Sequence, residues 1–366
     1  MVYLSFEWIG WMVGVTAVFW ATPQPFKLMS LAIATAVFLI IYDPISCGIL
    51  VLLTLITYGA ARLPFTESKR LILGLTPIFI LLFGYKALSK FSGNDLLTGT
   101  IIPLGLSYYT LRCAHYLIET YKGNSKQIPL LDLVAYLFFL PTIFIGPIHR
   151  QPEFSRDLRR HRWNSELFSE GIERIIYGYF KIAVLGNFLI SRIFAESSDR
   201  ISEDGSILAG YLLMVQIGLN LYFQFSGFSD IAIGFARLLG FRVLENFNWP
   251  YFKSNISAFW NSWHISLTSW CRDYVYGPVV AITRSPSLGS IATLIAVALW
   301  HEISIRYLLW GLYHGLGIIL WQKGSQYWRR YPIENPTLRF LIKVSSIALT
   351  THYVWFGFYL VREIQF

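Results

Sequence analysis

A chain of 366 residues that is 55% hydrophobic and only 14% charged is too poor in charge for an ordinary water-soluble domain, which carries about a quarter charged residues. Its mean hydropathy of +0.50 points to an integral membrane protein. The formal charge of +9 then reads as basic loops on the cytoplasmic side, not as a nucleic-acid surface. The three cysteines, Cys47, Cys113 and Cys271, sit in apolar surroundings without CxxC spacing, which argues against a disulfide framework or a thiolate metal site.

The N-terminus, MVYLSFEWIGWMVGVTAVFW, has no basic stretch before its apolar run and carries Glu7 early. It reads as a first membrane segment, not a cleaved signal. Apolar runs of membrane type follow one another, about eleven in all: 7–20, 27–42, 45–62, 70–88, 100–118, 130–148, 171–195, 206–225, 288–300, 303–322 and 338–361. Short polar breaks such as ATPQPFK, DP and PFTESKR separate them. No internal repeat and no long hydrophilic stretch interrupts the series, so residues 1–366 read as one all-α polytopic domain. Two loops are basic: 149–163, with five arginines against Glu153 and Asp157, and 322–343. Both are expected in the cytoplasm, and the acidic 196–205 outside. Strict alternation does not satisfy every loop, so some runs must be re-entrant or interfacial.

Residues 226–285 break the pattern. Helical periodicity continues, yet the stretch carries Asp230, Arg237, Arg242, Glu245, Lys253, His264, Arg272 and Asp273. Polar groups at membrane depth are costly and line functional cavities, unless the segment lies flat at the interface. For the basic residues the two readings weigh evenly. For His264, crowded by Trp260, Trp263 and Trp270, the cavity is favoured. Asp230 is expected to pair with a nearby arginine, the sequence leaving the choice open. Arg272 and Asp273 would hold a turn at the interface.

Among the seven histidines, His149 and His161 fall in the basic loop and read as solvated. His115 and His352 have no evident partner. His314, in WGLYHGLG, reads as a satisfied core group among glycines that permit close helix packing. His301 ends an apolar run at Leu299–Trp300–His301–Glu302. Midway between His264 and His301 lies TRSPS, 283–287, where Pro286 reads as a helix stop. Two arms folding back there, each about 27 Å long at 1.5 Å per residue, would bring the histidines to similar depth unless Gly277–Pro278 interrupts the first. HExxH spacing and a supporting carboxylate or cysteine cluster are missing, so no metal is expected. Nor is there a GxSxG elbow, a P-loop or a Rossmann fingerprint. What remains is a general base without a protein nucleophile, the pattern of direct transfer from an activated donor such as a thioester to a hydroxyl.

Five segments carry a resemblance to a known family: PLGLSYYTLRCAHYLIETYKG (103–123), FLPTIFIGPIHRQPEF (139–154), YFQFSGFSDIAIGFARLLGF (222–241), ENFNWPYFKSNISAFWNSWHISLTSWCRDYVYGPV (245–279) and LWHEISIRYLLWGLYHGLG (299–317). Together they resemble the membrane-bound O-acyltransferase superfamily, in the bacterial branch of alginate O-acetylases and the teichoic-acid D-alanyl transfer protein. The motif-bearing core is 103–317; residues 1–100 match in hydropathy only. The resemblance implies a ring of helices around a central tunnel that joins a cytoplasmic donor to an external acceptor in the bacterial inner (plasma) membrane. It implies His301 as catalytic base and His264 as the second catalytic histidine. Trp260, Trp263, Trp300, Glu302, Asp230 and Arg272 are the candidate substrate-binding residues. The donor would be a thioester, acetyl-CoA or an acyl carrier protein, with no bound cofactor. The acceptor would be an exported polysaccharide receiving acetyl; a teichoic acid receiving D-alanine comes second, and a lipid or protein third. Other envelope-modification proteins are expected partners, nucleic acid is not. Two departures stand out: Glu302 replaces the family's usual Gly after the Trp-His histidine, and the segment after Asp273 lacks the branch's Gly-Gly-Asn-Arg. A transporter with an intramembrane His/Asp relay and a purely structural envelope subunit are the rival readings.

Overall fold

The computed structural model describes residues 5–91, 103–159, 162–196, 207–328 and 334–362. Its regular structure there is helical, apart from one isolated bridge between Phe247 and Trp263. Among the described residues three helices are long and apolar enough to cross a membrane, within Gln24–Tyr42, Glu67–Leu88 and Ile207–Leu238; Phe6–Ala21, Pro44–Ala60 and Pro286–His301 are shorter apolar helices. Large apolar side chains such as Ile40, Ile72, Ile80, Leu320 and Leu349 are exposed, on a scale that water would not tolerate and lipid tails would cover.

Several of the short polar breaks are helix starts. Asp43–Pro44, Ser285–Pro286 and Asn335–Pro336 each supply a side chain that accepts a backbone N–H of the first turn, followed by proline at the first helical position. There the missing N–H costs nothing and φ is already helical. Pro286 therefore begins a helix; the stop precedes it at Arg284, which is left-handed with φ 56°. The run 130–148 does not form a span. Its helix ends at Leu137, a 3-10 turn follows at Leu140–Thr142, and Pro141, Gly146 and Pro147 keep the rest irregular. Conversely, the run at 206–225 extends to Leu238 and carries Asp230 and Arg237 inside one helix.

The chain divides into two units. The first comprises 1–178 and 228–244. Its core is aromatic: Trp8 is fully buried and meets Phe38, Phe144 and Phe235 edge-on at 5.5, 6.2 and 6.0 Å. Helix Ser165–Phe180 closes on the end of helix Ile207–Leu238 through glycine. A methyl on Gly171 would stand 2.9 Å from the Gly234 carbonyl oxygen, and one on Gly234 2.6 Å from that of Gly171. That approach brings Arg174 and Asp230, each about one turn away on its helix, within 2.7 Å. Asp230 is buried and paired with Arg174, an arginine 56 residues before it in sequence. His149 is also buried, its Nδ1 3.0 Å from Thr142 Oγ1 and its Nε2 3.3 Å from the Tyr136 carbonyl; it is not a solvated loop residue. His161 and most of the 196–205 loop lie outside the described residues.

The second unit comprises 179–227 and 245–366. Helical geometry runs unbroken from Ile265 to Thr283, widening to a π turn at Arg272–Tyr276. That wider turn precedes Pro278, whose ring and missing N–H a regular α-helix holds only with a kink. Helix Pro286–His301 returns against this arm. Helix Ile305–Trp328 lies on the returning helix where Gly311 stands: a methyl there would be 2.8 Å from the Leu294 carbonyl oxygen.

Candidate active site

The hairpin 265–301 places His264 and His301 at its open end, one beginning the first arm and one ending the second. Both line a single cavity of about 190 Å³. His264, Thr268 and His301 are among its polar side chains; Phe225, Trp260, Trp263, Tyr307, Trp310 and Phe358 form the aromatic wall.

His264 is held in an unusual backbone state. Its φ of 45° lies in the left-handed region, which a non-glycine residue enters only when its surroundings dictate it, at a cost of about 1–3 kcal/mol. The surroundings are the chain around Asn246. The Asn246 carbonyl accepts from Ile265 N–H at 3.0 Å, its side chain accepts from Ser266 Oγ–H at 2.7 Å, and the Asn248 N–H donates to the Ser262 carbonyl at 3.0 Å. The imidazole is buried, meeting Phe225 edge-on at 4.7 Å and Trp300 at 5.9 Å. His264 stands outside the spanning helices; burial, and secondarily the neighbouring His301, push its pKa down to about 3. The ring is therefore neutral near pH 7, with one N–H to donate and one nitrogen to accept.

His301 is exposed. It is the last residue of its helix. Tyr307 stacks on it at 5.7 Å, and Trp310 approaches at 6.0 Å. The pair thus joins a buried neutral imidazole to an accessible one across the same cavity.

The other sequence candidates divide. Trp260 and Trp263 line the cavity. Trp300 does not line it, but packs between the two histidine rings at 5.9 and 4.8 Å. Glu302 caps the helix end and pairs with Arg306 at 3.0 Å, which puts its carboxylate on a structural contact away from the cavity lining. Arg272 is exposed and sits 3.2 Å from Asp273, also off the cavity wall. Asp230 belongs to the other unit, in its bridge to Arg174. His314 is fully buried among Trp260, Trp310 and Tyr353 rings, and neither ring nitrogen has a hydrogen-bond partner among the described residues; it is a core residue but not a satisfied one.

Sequence reasoning missed Asn246, Phe225, Thr268 and Tyr307. The last three carry no signal beyond helical spacing. Asn246, between two aromatic segments, could have been flagged as a polar residue in an apolar stretch.

A helical membrane protein with two histidines on one aromatic cavity is the class that fold and site define. The profile of the membrane-bound O-acyltransferase family matches residues 26–344, and the chain belongs to that family. It is 30% identical over 283 residues to the probable alginate O-acetylase AlgI of Pseudomonas aeruginosa, covering 72% of this chain and 53% of that protein. It is 30% identical over 272 residues to the teichoic acid D-alanyltransferase of Bacillus subtilis, covering 70% and 68%. With the peptidoglycan O-acetyltransferase of Helicobacter pylori it shares 28% over 283 residues, covering 68% and 53%. The chain spans about half the length of the alginate O-acetylases it matches.

Proposed function

We propose that this protein is a membrane O-acyltransferase that moves a short acyl group from a cytoplasmic thioester to a hydroxyl of an envelope polymer. The observation that carries the reading is the placement of His264 and His301 on one cavity in a chain of this family. His301 takes the proton of the acceptor hydroxyl, and the oxygen attacks the thioester carbonyl. The neutral His264 ring donates its N–H to the oxyanion that develops. Collapse breaks the carbon–sulfur bond, and the departing thiolate takes the proton from the His301 imidazolium.

The cavity supports a short acyl group. At about 190 Å³ it is smaller than the roughly 300–1,000 Å³ of pockets that enclose a drug-sized ligand. Acetyl to an exported polysaccharide is the first reading, by similarity to the alginate and peptidoglycan O-acetyltransferases. D-alanine to a teichoic acid is the second. On this reading the apolar helices ring a tunnel through the bacterial inner membrane, with the basic loops on the donor side. The rival proton-relay transporter would use Asp230, whose carboxylate is engaged by Arg174.

The test is thiol release from acetyl-CoA, or from an acylated carrier protein, by the purified full-length chain in detergent, with and without an oligosaccharide acceptor. Acceptor-dependent release and a matching mass gain on the acceptor support the proposal; neither with any donor overturns it. The same assay examines His264. His264→Ala is expected to lower the turnover number by about 10²-fold, the scale for one oxyanion donor. A variant that loses thermal stability while its folded fraction keeps full specific activity would reduce His264 to a packing residue.

A further inference from the structure

Trp260 and Trp310 line the cavity that holds the two histidines. Both also touch His314, at 5.2 and 4.9 Å between ring centroids, and the two indoles meet each other edge-on at 5.6 Å. The three rings form one closed cluster, all of it in the second unit. Two of its members face the cavity; His314 is fully buried and stands behind them, off the lining.

Ring contact alone holds this cluster. Trp260 Nε1, Trp310 Nε1 and both ring nitrogens of His314 are buried without a hydrogen-bond partner among the described residues. No bond therefore pins either indole, and where each ring rests depends on the bulk of the imidazole beside it. The helices beyond the imidazole are clamped. Tyr313 and Tyr353 stack at 4.2 Å and 11°, and each hydroxyl donates to the other's backbone carbonyl, at 3.0 and 2.6 Å. This reciprocal pair ties helix Ile305–Trp328 to helix Pro336–Leu360 one residue away from His314. The imidazole fits against the second helix because residue 357 is glycine: a methyl there would stand 2.3 Å from His314 Nε2. With the helices held, a change of volume at position 314 passes to the tryptophans and through them to the cavity.

We propose that His314 limits the length of acyl group the cavity accepts, by fixing from behind how far Trp260 and Trp310 reach into it. This role rests on the acyl-transfer reading above and adds to it a residue that decides specificity without touching the substrate. Removing bulk from a packed site leaves space that the surroundings fill only in part. Here the unpinned neighbours are the two indoles, and their retreat deepens the cavity. One methylene more or less in an apolar pocket changes selectivity by about 10–200-fold, so a small shift of the wall is read directly in donor preference.

The experiment compares thiol release from acetyl-, propionyl- and butyryl-CoA, or from the same acyl groups on a carrier protein, by the full-length chain in detergent with an oligosaccharide acceptor. His314→Ala is expected to raise the butyryl-to-acetyl ratio of kcat/KM by about 10-fold or more. Gly357→Ala added to it places a methyl in the vacated space and should recover much of the acetyl preference. His314→Leu keeps the bulk and removes the nitrogens. It should retain the wild-type ratio and raise the unfolding midpoint, because buried polar groups without partners cost stability. Gly357→Ala alone presses the imidazole toward the indoles and should lower the propionyl rate more than the acetyl rate; it decides the question if His314→Ala does not fold. A residue that only packs would lower the midpoint and leave the ratio alone, so an unchanged ratio in folded His314→Ala, or failing that in Gly357→Ala, overturns the proposal. So does a ratio that shifts in His314→Leu, which would trace selectivity to the nitrogens and not to bulk. The two readings fail separately. Transfer with wild-type selectivity in every variant sinks the role of His314 and leaves the acyltransferase standing; no transfer by the wild type from any donor sinks the acyltransferase reading, and the role of His314 with it.

Discussion

Acyl transfer by the His301→Gln variant is expected to fall by about 10²–10⁴-fold, the cost of removing a positioned general base, with thermal stability close to that of the wild type. Stability is expected to hold because His301 is exposed at a helix end, where a surface substitution changes stability by about 0.5 kcal/mol or less. Glutamine keeps a hydrogen-bonding group of similar reach but cannot take a proton at neutral pH, so the variant separates base chemistry from positioning. The readouts are initial rate of thiol release across a pH series and the unfolding midpoint of the same sample. A folded variant that turns over at near-normal rate would remove His301 from the mechanism.

Asp230→Ala is expected to act in the opposite way, on the fold and not on the chemistry. Asp230 is 4% exposed and its pair with Arg174 is 2.7 Å long. Removing one member of a buried pair leaves the other charge uncompensated and costs about 3–5 kcal/mol. Arg174 retains some access to solvent, its side chain being 28% exposed, so the lower end of that range is expected. Deleting the charge at both positions, in Asp230→Ala/Arg174→Met, should recover much of the loss, because the desolvation cost of both ions disappears together. The measurement is a denaturation series on the single and double variants, with specific activity of the folded fraction in parallel. Full stability with lost transfer in Asp230→Ala would return Asp230 to the substrate-binding residues.

These two residues show where a sequence is informative. His301 and His264 are legible because each stands in an apolar context where a titratable group is costly, and because one turn at 283–287 separates arms of similar length. Asp230 has the same kind of context, yet the sequence leaves its arginine partner open. Arg174 is reached only because Gly171 and Gly234 let two helices touch backbone to backbone. Glu302 and Arg272 are charged and adjacent to a motif, and each makes a local pair that lies off the cavity wall. The run at 130–148 misleads through hydropathy, which measures apolar content and is blind to the prolines that end the helix at Leu137.

What the sequence determined by itself is the chemistry available and the helical, lipid-compatible character of the chain. Both depend on local properties, hydropathy summed over a turn or two and the rarity of charge in apolar runs. What only the tertiary structure decided is which polar groups meet. The left-handed turn at His264 is imposed by Asn246 from outside the hairpin. Arg156 and Arg242 line one cleft although the segments that Asp157 joins there lie 85 residues apart along the chain. Such contacts depend on backbone approach and on the removal of solvent between groups, and neither is encoded at any single position.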